Sequence, residues 1–495
     1  MKDRIFGLPI SIRANTQEEP RLIGEIEGSE LLTREFRLPR EVRERLNPIQ
    51  RKILDRLTRV ARRTADLFAL QISEGERASF YPPKVSKSEI FSAAIDNPEI
   101  LSPYTILDRD SDGKLIARNM HEVYAHVIKE LNITGLLREA ASVAGKGRDR
   151  DISLQAYLRA KARSLETGDY EASERIWLER PDEPVIDIVV GPHDTYTDGF
   201  LGIKYAWESW VGVLDEQATA DSQWFLDSFL SWWQERTGMD PPKVKMRIDY
   251  TRILAGQAAL YDWVGNSLPC QHEWRQKYGS KFTIFGKKFN DKFQREKRPA
   301  FRMLIDPSRR MGVPDSVIKT VSLQRHIAHE TAHSLGVASD LEPRLQQYAD
   351  TIKELYCDLL GLVGYFGIKG ISLRERELAF ATAFAEGKID YNKFKNDGSR
   401  PHYYAASSTL LTYMVSKGSV EVDEGILTWE DPREVFNDIE ALFNFVNNLQ
   451  THGQIRDVEK FLSEFFDPEV YGRLKQLKKF EIPNFLRNLN LAGLN

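Results

Sequence analysis

The stretch HIAHETAHSLG, His326 to Gly336, gathers three of the chain's nine histidines and one glutamate within a few residues. On a helix, His329 and His333 stand four residues apart on one face, one turn above the other, so both imidazoles reach a single ion. Glu330 lies about 100° around the helix from His329, beside such an ion without taking a ligand position. This is the H-E-x-x-H arrangement, in which the histidines bind zinc and the glutamate takes a proton from the metal's water. Thr331 and Ala332 are small, which lets the helix be buried, and Gly336 marks its stop. His326, one turn before His329, faces the same side; it reads either as a partner behind the ligands or as a satisfied core histidine.

A hydrolytic zinc site has three protein ligands and one open position, so two histidines are not enough. The next helical pattern, EPRLQQYADTIKELYCDLLGLVGYF, starts at Pro343 and keeps apolar rows at Leu345, Tyr348, Ile352, Leu355, Leu359 and Leu362. Glu354 and Asp358 sit four apart on one of its faces. Either carboxylate serves as the third ligand, the other then orienting a ligand histidine through its second ring nitrogen. From Asp315 onward the pattern is almost wholly helical.

The bulk numbers narrow the function class. At 495 residues, two or three lobes are expected. With 41% hydrophobic and 29% charged residues, and no run approaching ~18 apolar residues, the chain reads as soluble with no membrane partner. The opening MKDRIFGLPISIRANTQEEP lacks the apolar core of a secretory signal. Two cysteines, Cys270 and Cys357, make no disulfide framework, so a reducing, cytoplasmic setting is expected. A net charge of −4 gives no pull toward nucleic acid.

Upstream, Ile53, Leu57, Val60, Ala61, Thr64, Leu67 and Phe68 fall at helical spacing, with the arginines on the solvated face. Ser86 and Glu89 have the spacing of a capping box. Asp108, Asp110, Asp112 and Gly113 copy half of a calcium loop, but Asn119 stands where that loop needs glutamate, so a tight turn is expected. Val185 to Val190 reads as a buried strand. Trp207, Trp210, Trp224, Phe225, Phe229, Trp232 and Trp233 read as a helix-packing stripe that Thr237, Gly238, Pro241 and Pro242 end. KVKMRIDY and KFTIFGKKF add strand-like pieces.

Several of these segments together resemble one family. GPHDTYTDGFLGIKYAWESWVGVLDEQATA is similar to the G-P-x-E-x-Y-x-D segment of the dipeptidyl peptidase III family and of the related domain in plant Nudix fusion proteins. HETAH resembles the family's zinc helix, and KELYCDLLGL its second motif, E-E-C-R-A-[ED]; FYPPKVSKSEI and PHYYAASSTLLTYMVSKGSV also resemble family segments. The resemblance implies an α+β, predominantly helical fold of two lobes with a wide cleft, a helical zinc lobe opposite a lobe with a small β-barrel. Residues 1–200, with interleaved segments from about 243–300, would form the mixed lobe, and 201–495 the catalytic lobe. It further implies Zn2+ held by His329, His333 and Glu354, Glu330 as general base, Asp358 orienting a ligand histidine, and His402 stabilising the oxyanion.

Three departures matter. The family usually has a six-residue H-E-x-x-G-H, and its N-[LI]-P-N stretch, whose amides hold the amino end of a peptide, is here SLPC, Ser267 to Cys270. Nor does Val185 to Val190 contain the tyrosine that supports the transition state in the larger enzymes. The expected function is a zinc-dependent metallopeptidase acting on short peptides. The alternatives are a zinc hydrolase or lyase for a small non-peptide substrate, and a non-catalytic metal-binding scaffold.

Overall fold

The chain, a computed structural model, is described over residues 32–72, 80–148, 150–181, 183–261, 264–397 and 401–477, with the pairs 4–5 and 8–9. Apart from those pairs, the amino-terminal stretch read above for an export signal lies outside the described residues. The fold is α+β, and its contacts divide it into two units. Among the described residues no helix is long and apolar enough to cross a membrane.

Among the described residues, the first unit comprises those between 32 and 216 and between 247 and 287. Its sheet contains β1 (Thr33–Glu35), β2 (Ile186–His193), β3 (Ala206–Leu214), β4 (Val244–Gly256), β5 (Gly265–Leu268) and β6 (Ser280–Phe285), in the order β2-β3-β4-β6-β5 with β1 on β4. The β2–β3 pairing is antiparallel, with Ile188 opposite Val211 and Val190 opposite Ser209. The long helix α1 (Pro48–Ile72) packs across β2 and β3 through the apolar row read from its sequence. It is joined by α2 (Ile133–Ala144), α3 (Ile152–Thr167) and α4 (Tyr170–Glu179).

Trp207 and Trp210 depart from the sequence expectation: they lie on β3, not on the helix that carries the later aromatics. A strand buried on both faces loses its two-residue alternation, so its apolar run mimics a buried helix. Residues 201–216 fall within the sheet unit.

Ser86 caps its helix by accepting from the Glu89 amide at 3.1 Å, while the Glu89 carboxylate is taken by Arg109 at 2.7 Å. The aspartate-rich segment forms the expected turn. Asp110 Oδ1 accepts from the amides of Asp112 and Lys114 at 3.0 and 2.9 Å, and Asp108 pairs with Arg118.

This unit buries several charges and pairs most of them. Arg180 meets Asp187 at 2.8 Å, Arg247 meets Asp249 at 2.7 Å, and Lys281 reaches Asp187 at 3.3 Å. Lys161 meets Glu174 at 2.5 Å. Pairing offsets much of the cost of taking such charges out of water. His193, at the end of β2, is buried near Lys161 and Glu174; burial, helped by Lys161 and opposed by Glu174, lowers its pKa to about 4. Between pH 6.5 and 4 the unfolded chain therefore binds a proton that the fold refuses, and stability present at neutral pH is lost as pH falls through that window. His193→Gln should remove this component, on the order of 3 kcal/mol, from the wild-type minus variant stability curve measured by denaturant titration. Parallel curves from pH 7 to 4 would contradict it.

The second unit, Gln217–Met246 and Lys288–Glu481, is built of helices. The longest are α5 (Glu216–Thr237), α6 (Asp315–Ala332), α7 (Ala349–Gly367), α8 (Leu373–Asp397), α9 (Pro401–Lys417), α10 (Pro432–His452) and α11 (Ile455–Phe465), with a small hairpin at Glu421–Asp423 and Ile426–Thr428. The central element is α7, buried along nearly its whole length and packed on α6, α9 and α10. Its apolar rows pack against these neighbours, while Glu354 and Asp358 on its remaining face are turned toward α6. Helix α7 begins at Ala349 rather than at Pro343, because Gln346 takes a left-handed conformation (φ 50°) that separates it from the short helix Leu341–Leu345. Its Gly361 allows a close approach to α6: a Cβ there would stand 3.3 Å from the His329 amide nitrogen.

Candidate metal centre

The histidine pair occupies the carboxyl end of α6. His329 lies in its last turn, and His333 caps it while still in the helical region (φ −57°, ψ −18°), so the four-residue spacing keeps its one-face geometry. Gly336 then turns the chain at φ 78°, where a Cβ would meet the Tyr356 hydroxyl at 2.6 Å. Packing of α7 against α6 brings Glu354 to the pair.

Three atoms converge. His329 Nε2 and His333 Nε2 are 3.2 Å apart, and Glu354 Oε2 lies 3.3 Å from the first and 3.8 Å from the second. The two rings are nearly perpendicular, at 86°. Glu354 Oε2 is buried, with no hydrogen-bond donor among the described residues. Tetrahedral zinc with bonds of about 2.0–2.1 Å spaces its ligand atoms roughly 3.3 Å apart, so this donor set fits such an ion. Both Nδ1 atoms face α7: His329 Nδ1 is 2.9 Å from Asp358 Oδ1, and His333 Nδ1 is 3.3 Å from Cys357 Sγ.

The electrostatics favour positive charge at this point. Burial works against protonation of His329, but Asp358 and Glu354 outweigh it and push its pKa up to about 10. Burial likewise opposes ionisation of Glu354, yet His333, His329 and His402 hold its carboxyl well below the usual range. Asp358 is lowered too: burial is overcome by His329 and Arg325. A bound divalent cation answers the same demand.

Glu330 and His326 lie beside the cluster. Glu330 is 9% exposed, and its Oε1 is 3.6 Å from His326 Nε2. The His326 ring is parallel to that of His329 at 6.4 Å and stacks on Phe289 at 6.5 Å. Burial, with Lys297, His329 and Arg325 nearby, holds His326 well below the ordinary histidine range. His402, at the start of α9, is near enough to lower the Asp350 and Glu354 carboxyls.

Thus His329, His333, Glu354 and Asp358 meet directly, with His326, Glu330 and His402 around them. Sequence reasoning passed over two neighbours. Arg325 approaches Asp358 at 3.5 Å and bonds Glu386, and Cys357 touches His333. Helical spacing was the available signal: Arg325 is four residues before His329, and Cys357 three after Glu354. In the sheet unit, the SLPC segment also carries polar contacts. Asn266, just before it, donates to Asp194 Oδ2 at 2.8 Å, and Cys270 donates to Asp194 Oδ1 at 3.0 Å.

This architecture is the dipeptidyl peptidase III fold. Dipeptidyl-peptidase III from Corallococcus sp. strain EGB superposes with a TM-score of 0.75 at 19% identity, over 93% of this chain and 94% of that one. DPP III from Caldithrix abyssi gives 0.73, also at 19% identity, over 92% and 98%. In sequence, the chain is similar to Nudix hydrolase 3 of Arabidopsis thaliana, 20% identical over 460 residues; the match covers 84% of this chain and 57% of that protein's length. No family model matches the chain.

Proposed function

We propose that the protein is a zinc-dependent hydrolase, a cytoplasmic metallopeptidase acting on short peptides. The observation that carries this is the convergence of His329 Nε2, His333 Nε2 and Glu354 Oε2 beside Glu330, within the dipeptidyl peptidase III fold. A zinc ion held by those atoms supplies a Lewis acid that polarises a carbonyl and acidifies water. The remaining work belongs to the chain. Glu330, adjacent in sequence to His329 but outside the converging trio, accepts the proton of the attacking water and passes it to the leaving amine. Asp358 fixes the His329 tautomer by accepting from Nδ1, which directs Nε2 toward Glu354. His402, close enough to bias the Glu354 carboxyl, donates to the developing oxyanion.

A second reading, a zinc enzyme acting on a small non-peptide substrate, draws support from SLPC. With Ser267 and Cys270 in the positions of the two asparagines, Cys270 and Asn266 instead serve Asp194. Incubating the zinc-loaded protein with a mixed peptide library, with products read by mass spectrometry, separates the two. Dipeptides accumulating from amino ends, or other short fragments, support the peptidase; an intact library with zinc bound at one equivalent rejects it in favour of the second reading.

A further inference from the structure

The two imidazoles of the cluster are steadied by different chemistry. His329 Nδ1 faces a carboxylate oxygen of Asp358, whereas His333 Nδ1 faces the sulfur of Cys357. Cys357 and Asp358 are consecutive on α7, three and four residues after Glu354. A single helical turn therefore presents one carboxylate to the converging atoms and one partner to each histidine. The Cys357 side chain is fully buried, and 3.3 Å is a close approach for nitrogen and sulfur. Where an ion takes His333 Nε2, which is turned toward His329 Nε2 and Glu354 Oε2, Nδ1 is the nitrogen that carries the proton, and sulfur is a weak acceptor for it.

We propose that Cys357 is a positioning residue for His333: its sulfur accepts a hydrogen bond from Nδ1–H and so fixes the tautomer that directs Nε2 into the cluster. This rests on the reading that His329, His333 and Glu354 hold a divalent ion. Asp358 places a formal charge behind His329 and raises its basicity; a neutral sulfur does so only weakly for His333. Were Cys357 only a filler between α6 and α7, a residue of similar size without an acceptor would serve equally well.

The test uses the full chain loaded with cobalt(II), whose paramagnetism shifts the exchangeable Nδ1 protons of ligand histidines out of the proton NMR envelope. Two such resonances are expected in the wild type. In Cys357→Ala one of them should move or broaden through solvent exchange while the other stays, and cobalt affinity in chelator competition should fall roughly tenfold. Cys357→Ser, whose hydroxyl can also accept, should recover affinity to within about threefold of wild type. Unmoved resonances with unchanged affinity in Cys357→Ala would overturn the assignment, as would equal behaviour of the Ala and Ser variants. A wild type that takes up no cobalt would overturn the ion-binding reading itself, a result distinct from either.

Discussion

Glu330→Gln should leave the ion in place and lower kcat by about 10²–10⁴-fold, the range expected when a general base is lost. The amide has the shape of the carboxylate but cannot take a proton. Glu330 is not among the three converging atoms, so its replacement removes no ligand. It is mostly buried, close to His326, and follows His329 on α6, so an isosteric change disturbs little packing. The expected pattern is wild-type metal content, a KM near that of the wild type, and a collapsed kcat. Retained turnover, with wild-type contamination excluded, would remove Glu330 from the mechanism.

His333→Ala acts one step earlier, on the ion itself. It deletes one of the three converging atoms and leaves Glu354 Oε2 with a single imidazole partner. Loss of partners behind a ligand costs 10–100-fold in metal affinity, and loss of a ligand should exceed about 100-fold. Because His333 follows the last helical residue of α6, the variant should keep its helical circular dichroism. Undiminished metal stoichiometry in a folded His333→Ala protein would place the ion elsewhere.

The site was more legible in the sequence than the sheet that accompanies it. Four-residue spacing is a direct statement about one face of a helix, so His329 with His333, and Glu354 with Asp358, were readable as pairs. That the two helices pack with Gly361 against His329 is a tertiary fact no local pattern carries. His402 came only from family resemblance; its closeness to Glu354 depends on α9 packing against α7. The strand at Trp207 and Trp210 was misread because burial on both faces erased its alternation. Pro343 suggested a helix start, and the left-handed turn at Gln346, invisible to periodicity, moved the start of the acidic helix to Ala349. Cys357 was weighed only as evidence on redox setting, since nothing in a lone thiol's sequence context announces a histidine partner.

The claim on which the function rests is that His329, His333 and Glu354 share one divalent ion. A crystal of the purified protein, with anomalous diffraction recorded on both sides of the zinc absorption edge, addresses it directly. The account predicts a single strong peak about 2.0–2.2 Å from His329 Nε2, His333 Nε2 and a Glu354 carboxylate oxygen. No peak at these residues in zinc-supplemented crystals, or a peak held by other side chains, would contradict it.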